Sequence, residues 1–291
     1  MLGRIPNIKM RITDTDIDVV IKTLLAWYEE AGVDEIILDR PVNRTSTAPN
    51  STQRSKKKYA APSCSLSRDF LRSVDRSGNI HFDLKEAVQA ARTAANRAGS
   101  LDALNVAVER FDYCSLKITA NTTVFADGIP GAEVMIVGEA PGADEDRQGK
   151  PFVGVSGRLL DCMLASIGLS RSKSVYITNI IPWRPPGNRP PTSAEISICI
   201  PFVERHIELA APRILMLAGG TSARALMRMQ DGIASLRGNF MNWTSPNHQE
   251  TIPALATYHP AYLLRTPGQK ASAWNDLLTL RCRLDAIANK F

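Results

Sequence analysis

Residues 134–137 are four apolar residues in a row, and residues 174–181, 213–218 and 254–257 read as three further core strands. Continuous apolar runs of that length suit strands of a parallel sheet that is covered on both sides. Between them the period changes to that of a helix. Residues 157–167 place Leu159, Leu160, Met163 and Leu164 on one face, and Gly168 closes the helix. A helix is expected from Ser193, where Thr192 and Glu195 form the Thr-x-x-Glu pattern of a capping box, with a kink at Pro201. Gly219-Gly220 turns into a short helix that ends near Met227, and residues 271–288 form the last helix. Upstream, residues 83–96 are alanine-rich with Leu84, Ala87, Val88 and Ala91 on one face, and Ser100 caps a second helix. Residues 124–126, followed by Asp127-Gly128, read as a short strand and turn, and residues 232–247 as an irregular hairpin. Strand alternating with helix predicts a three-layer α/β/α sandwich around a short, mostly parallel four-stranded sheet.

The N-terminal part has a different texture. Residues 14–32 carry Ile17, Val20, Ile21, Leu24 and Tyr28 at helical spacing, with Asp14, Asp16 and Asp18 at the start and Gly32 at the stop. A short apolar stretch at residues 36–38 and Pro41 follow. From residue 42 to about residue 80, Ser, Thr, Arg, Lys, Asn and Pro dominate around Lys56-Lys57-Lys58, the composition of a disordered linker. The expected organisation is an N-terminal helical segment over 1–41, a basic linker over 42–80 and one globular domain over 81–291.

Composition narrows the setting. The formal net charge is +6 and the pI is near 9.1, a balance that suits a polyanionic partner without requiring one. The five cysteines are odd in number and have no close pairs. They do not form a disulfide framework, so a reducing, cytoplasmic setting is expected. No apolar run approaches the roughly 18 residues of a membrane span, and residues 1–22 lack the apolar core of a signal peptide. A monomer is expected.

The candidate chemistry lies at the ends of the predicted strands, where open α/β sheets bind ligands. After the strand at 134–137 comes a loop rich in Gly, Pro, Asp and Glu that ends at Gly154. Its acids Glu139 and Glu145 and its aromatic Phe152 are pocket candidates. The second strand delivers Asn179 to the same layer. The segment 182–191 holds five prolines and cannot be regular structure; its Arg184 and Arg189 are placed for phosphate. The fourth strand leads into Tyr258-His259-Pro260. Taken singly these residues have ordinary explanations: an acidic loop is usually solvated, a lone Phe is usually core, and an Asn at a strand end usually caps a turn.

Together they resemble a known family. Gly138-Glu139-Ala140-Pro141-Gly142, Glu145-Asp146 and Gly149-Lys150-Pro151-Phe152-Val153-Gly154 closely resemble the first motif of the type-4 uracil-DNA glycosylases. Tyr176-Ile177-Thr178-Asn179, Arg184-Pro185-Pro186-Gly187-Asn188-Arg189 and His259-Pro260-Ala261-Tyr262-Leu263-Leu264-Arg265 also match. The resemblance covers roughly residues 110–284. It implies removal of uracil from DNA by hydrolysis of its N-glycosidic bond, leaving an abasic site. It implies that Phe152 stacks on the flipped base, that Asn179 reads it, and that His259 donates to a uracil oxygen. Backbone amides near Gly142 are expected to help bind the base. Glu139 would orient water or stabilise the cationic sugar, and Glu145 would crowd the C5 edge and reject thymine. Leu263, Leu264 and Arg265 would wedge the duplex.

The same resemblance raises the question of iron. Most members hold a [4Fe–4S] cluster on four cysteine thiolates. The matching positions here read Phe111, Cys114, Trp183 and Cys199, so no cluster and no other cofactor is expected. Phe111 and Trp183 should pack where a cluster would sit, and Cys162 should be core. Two other readings remain. One is a non-catalytic DNA-binding relative associated with a polymerase, which the intact Glu139, Asn179 and His259 set opposes. The other is a variant that traps DNA covalently through a His-containing loop, and residues 182–191 contain no histidine.

Overall fold

The computed structural model describes residues 83–247 and 251–288. The expected N-terminal helix and the linker lie outside the described residues.

The sheet is six-stranded, in the order β1-β3-β2-β4-β6-β5. Its four central strands are β3 (Val175–Asn179), β2 (Val134–Gly138), β4 (Ile214–Ala218) and β6 (Thr251–Thr257). They are mutually parallel, and they are the four strands expected from the apolar runs. Two antiparallel edge strands extend the sheet beyond the expected four: β1 (Asp127–Gly128) pairs with β3, and β5 (Phe240–Thr244) pairs with β6, so the 232–247 region supplies one arm of a hairpin whose other arm is β6 rather than a hairpin of its own. β1 begins later than residues 124–126. There the Val124 N–H donates to the Pro182 carbonyl at 2.8 Å and the Phe125 carbonyl accepts from the Thr178 hydroxyl at 2.7 Å, so this stretch is bonded outside the ladder.

The alternation of β2 explains the two helix layers. Met135 and Val137 point to one face and Val134 and Ile136 to the other, and all four are fully buried. The first face is covered by α1 (Leu84–Arg97), α2 (Leu101–Glu109), the single turn α3 (Leu116–Thr119), α6 (Ser193–Ala210) and α7 (Gly220–Met227). The second is covered by α5 (Val155–Ala165), α9 (Pro260–Arg265) and α10 (Lys270–Ala288). Within α1 the buried stripe is Ala87, Ala91 and Ala95. Leu84 is exposed rather than inward, because small side chains make the close approach. The capping box at α6 forms as expected, with Glu195 N–H on Thr192 Oγ1 at 3.2 Å and Thr192 N–H on Glu195 Oε2 at 2.7 Å. The helix runs on through Pro201. Two short helices fall in segments read as irregular: α4 (Ala143–Gln148) in the acidic loop and α8 (Ile233–Leu236) before β5. No helix among the described residues is long and apolar enough to cross a membrane.

Candidate active site

Because β2, β3, β4 and β6 are parallel, their carboxyl ends open on one edge of the sheet. A cavity of about 460 Å³ lies there, lined by Glu139, Glu145, Phe152, Asn179, His259 and Arg265 among others. The structure thus brings together the residues singled out from three separate sequence blocks.

The floor is set by register. Gly138 ends β2 directly opposite Asn179 at the end of β3. A Cβ on Gly138 would lie 2.4 Å from Asn179 Oδ1 and 2.6 Å from the Phe152 ring. Only glycine therefore lets the amide and the aromatic ring lie against the strand end together. Asn179 is 4% exposed, and its Oδ1 is buried with no hydrogen-bond partner among the described residues. A buried amide oxygen left unpaired costs about 1–3 kcal/mol, so this one is set up to accept from a ligand.

Phe152 is buried with φ +54°, the left-handed region that side chains seldom occupy. Its backbone is held by Arg171, whose guanidinium donates to the Phe152 carbonyl at 2.6 Å and the Pro151 carbonyl at 2.9 Å. Asp127 at 2.9 Å and Asp161 at 3.0 Å fix the same guanidinium. The Phe152 ring lies 5.4 Å from that of His259, tilted by 31°. Arg171 was not legible as a site residue, since it lies in a short polar turn outside every matched block.

His259 is the N-cap of α9, and its Nδ1 accepts the Ala261 N–H at 3.1 Å. An N–H can only donate, so Nδ1 carries no proton and the neutral ring carries its proton on Nε2. Burial pushes the His259 pKa down to about 4; Arg265 pushes the same way and Glu145 opposes. The ring is therefore a neutral donor at ordinary pH.

The two glutamates differ. Glu145 is buried, and both carboxylate oxygens are engaged: Oε1 accepts the Val153 and Gly154 N–H groups at 2.9 Å each, and Oε2 accepts the Gly142 N–H at 3.1 Å. It staples the start of the acidic loop to its end. The Gly142 amide, one of those expected near the base, donates to Glu145 in this structure. Glu139 is half-buried, and its Oε2 accepts the Thr221 hydroxyl at 2.5 Å.

The expected DNA contacts are divided. Arg184 donates to Asn188 Oδ1 at 2.7 Å. Arg189 grips Glu195 through two hydrogen bonds of 2.9 and 2.6 Å, so it tethers the proline-rich segment to α6 before it serves any phosphate. The expected strand-end loop is the helix α9. Its periodicity buries Leu263, 1% exposed, in the core beneath it, while Leu264 is 40% exposed beside the exposed Arg265. Leu263 therefore packs in the core, and Leu264 is the leucine of the pair that reaches the surface.

The four positions that would hold iron lie in the same core cluster, all buried. Phe111 packs edge-on against Phe202 with centroids 5.0 Å apart, and Trp183 donates its indole N–H to Thr123 Oγ1 at 3.0 Å. The neighbouring Cys199 thiol holds the Cys114 pKa below its ordinary value against the effect of burial. Two thiols and two packed aromatics do not fit a cluster that takes four thiolates. The described residues contain no group of three or more His, Cys, Asp or Glu side chains placed to hold a metal. Cys162, expected in the core, is exposed on the outer side of α5.

The model of the uracil DNA glycosylase superfamily matches residues 125–278. Type-4 uracil-DNA glycosylases are similar over a comparable stretch. That of Sulfurisphaera tokodaii is 36% identical over 187 residues, 62% of this chain and 84% of the relative. That of Saccharolobus solfataricus is 39% identical over 173 residues, 58% of this chain and 79% of the relative. The chain belongs to the type-4 uracil-DNA glycosylase family. A DNA polymerase of Bacillus phage SP01 is 34% identical over 163 residues, but the match spans only 17% of that polymerase. The matched superfamily segment runs from Phe125, behind β1, to Leu278 in α10, and so contains the whole sheet and every cavity residue described above.

Proposed function

We propose that this protein excises uracil from DNA, hydrolysing the bond between uracil N1 and the sugar C1′ and leaving an abasic site. The observation that carries the reading is the unpaired, buried Asn179 carbonyl beside Phe152 and the neutral His259 in one cavity. Uracil presents N3–H as a donor beside O4 as an acceptor. The Asn179 side chain offers Oδ1 to the first and Nδ2–H to the second, a pattern that cytosine mismatches. The flipped base stacks on Phe152. As the C1′–N1 bond lengthens, the electron pair moves onto the base and charge grows on O2. The Nε2–H of His259 donates to that oxygen. The sugar gains oxocarbenium character, which the Glu139 carboxylate stabilises while it orients the water that adds to C1′. The water's second proton ends on the departing base. Glu145 holds the loop that presents these groups and lies at the cavity wall, where it crowds a C5 methyl. Leu264 and Arg265 enter the duplex beside the site, and Arg184 meets the backbone. No step uses iron, because the donor set at the cluster positions is incomplete. The protein is taken to act as a monomer in the cytoplasm; the odd number and wide spacing of its cysteines support a reducing setting.

The test is direct. The protein is incubated with an oligonucleotide containing one uracil, and abasic sites are opened with alkali. A strand break at the uracil, absent from the thymine control, is expected. An intact uracil strand with folded protein in excess would leave the non-catalytic DNA-binding reading in its place.

A further inference from the structure

The reading above uses residues that line the cavity. The turn between β4 and α7 does not line it, yet it touches two of the proposed catalytic groups from behind. Thr221, in the first turn of α7, places its hydroxyl 2.5 Å from Glu139 Oε2. Gly219, at the head of the same turn, has φ +107°, and a Cβ there would lie 3.0 Å from the His259 Cβ. The turn is itself pinned: Gly219 N–H donates to the Thr257 carbonyl of β6 at 2.9 Å, and the buried Ser222 hydroxyl donates to the Gly219 carbonyl at 3.0 Å.

We propose that Thr221 is a positioning residue for catalysis, acting through Glu139. The physical argument starts from the carboxylate. An ionised carboxylate only accepts, so the hydroxyl must be the donor, and such charge-assisted bonds are short and strong. Oε2 of Glu139 is then committed to Thr221, and Oε1 is the oxygen left to serve water or the sugar cation. A glutamate on a flexible stem at the mouth of a cavity would otherwise sample several rotamers. The Thr221 hydroxyl selects one of them, and the rigid β4–α7 turn holds that hydroxyl in place. The same turn accommodates His259, so the acid side and the base-anion side of the reaction share one support.

The inference rests on the proposed uracil excision, and its test separates the two. Single-turnover excision and DNA affinity are measured for the wild type, Thr221→Val and Thr221→Ser, and for Thr221→Val in a Glu139→Ala background. A hydrogen bond to a charged group is worth about 1.5–3 kcal/mol, so Thr221→Val should slow excision about tenfold or more. DNA affinity should be unchanged and the fold retained by circular dichroism, and Thr221→Ser should retain the wild-type rate. In the Glu139→Ala background Thr221→Val should cost nothing further, since the group it positions is gone. Wild-type rates for Thr221→Val, failure of Ser to rescue, or an equal loss without Glu139 would each overturn the inference while leaving uracil excision intact. An inactive wild type would remove both.

Discussion

At the scale of single residues the site turns on protonation and pairing. His259 is proposed to act as a neutral donor, and its tautomer is fixed by a bond to its own helix. Replacing it by Ala removes one donor to a developing anion and should slow excision by about 100-fold or more, with DNA affinity little changed; single-turnover rates and a binding titration check this. Its pKa of about 4 also sets a pH profile. Activity should persist well below the ordinary histidine pKa of about 6.5 and fall only as pH approaches 4. A loss centred near 6.5 would show that the ring is not desolvated as described. The sign for stability follows from the same depression, which His206 shares. That ring is buried against Tyr176 OH at 3.0 Å and stacks on Phe125, and burial pushes its pKa down to about 3. Both folded pKa values lie below the unfolded value, so the unfolded chain takes up protons first as pH falls. Stability is complete above about 6.5 and is lost toward 4 and 3, by about 1.4 kcal/mol per pH unit for each histidine. Urea midpoints measured at pH 7 and pH 5 should differ in that direction. Asn179→Asp loses the amide donor to O4 and should weaken uracil excision strongly; undiminished activity would mean that another group reads the base.

Among elements, the acidic loop and α9 carry the interest. The loop was expected to be irregular, yet it holds the helix α4 and is closed by Glu145 across residues 142–154. Glu145→Ala should therefore have two effects, a slower reaction on uracil because three amides lose their acceptor, and weaker rejection of thymine because the crowding group is gone. Rates on matched uracil and thymine substrates measure both, and an unchanged thymine-to-uracil ratio would place C5 selectivity elsewhere. α9 sorts its two leucines by helical period, one into the core and one to the surface. Leu264→Ala should slow excision from duplex DNA more than from single strands, because only the duplex leaves a vacated space to fill. Equal losses on both substrates would exclude the wedge.

For the molecule as a whole, the packed aromatics at the cluster positions bear on stability. Phe111 and Trp183 supply buried apolar area at positions where the family resemblance implies cluster thiolates. The purified protein should be colourless and should keep its activity through chelator treatment; about four irons per chain by metal analysis would contradict the ligand assignment. We also propose, from composition, that the catalytic domain starts near residue 81. Removal of residues 1–80 should leave a folded, active domain, because the composition of 42–80 is that of a segment too polar to bury. Circular dichroism and the same excision assay would reveal any dependence on the removed part.

The sequence by itself determined the four central strands, the α6 capping box and the three blocks that supply Glu139, Phe152, Asn179 and His259. Each of these is written in local chemistry: apolar runs, a Thr-x-x-Glu spacing and motif residues at strand ends. The family resemblance added the mismatch at Phe111 and Trp183. What only the tertiary structure decided lies in contacts between distant segments. Glu139 meets Thr221 across 82 positions of chain, and Arg171 reaches Phe152 across 19, pairings that no local pattern encodes. The edge strands β1 and β5 are legible only as a turn and an irregular hairpin, and their exact places follow from the open ladder of an adjacent strand. Leu263 and Leu264 are identical in composition and neighbours in sequence; only the helix that carries them, docked on α5, makes one core and the other surface.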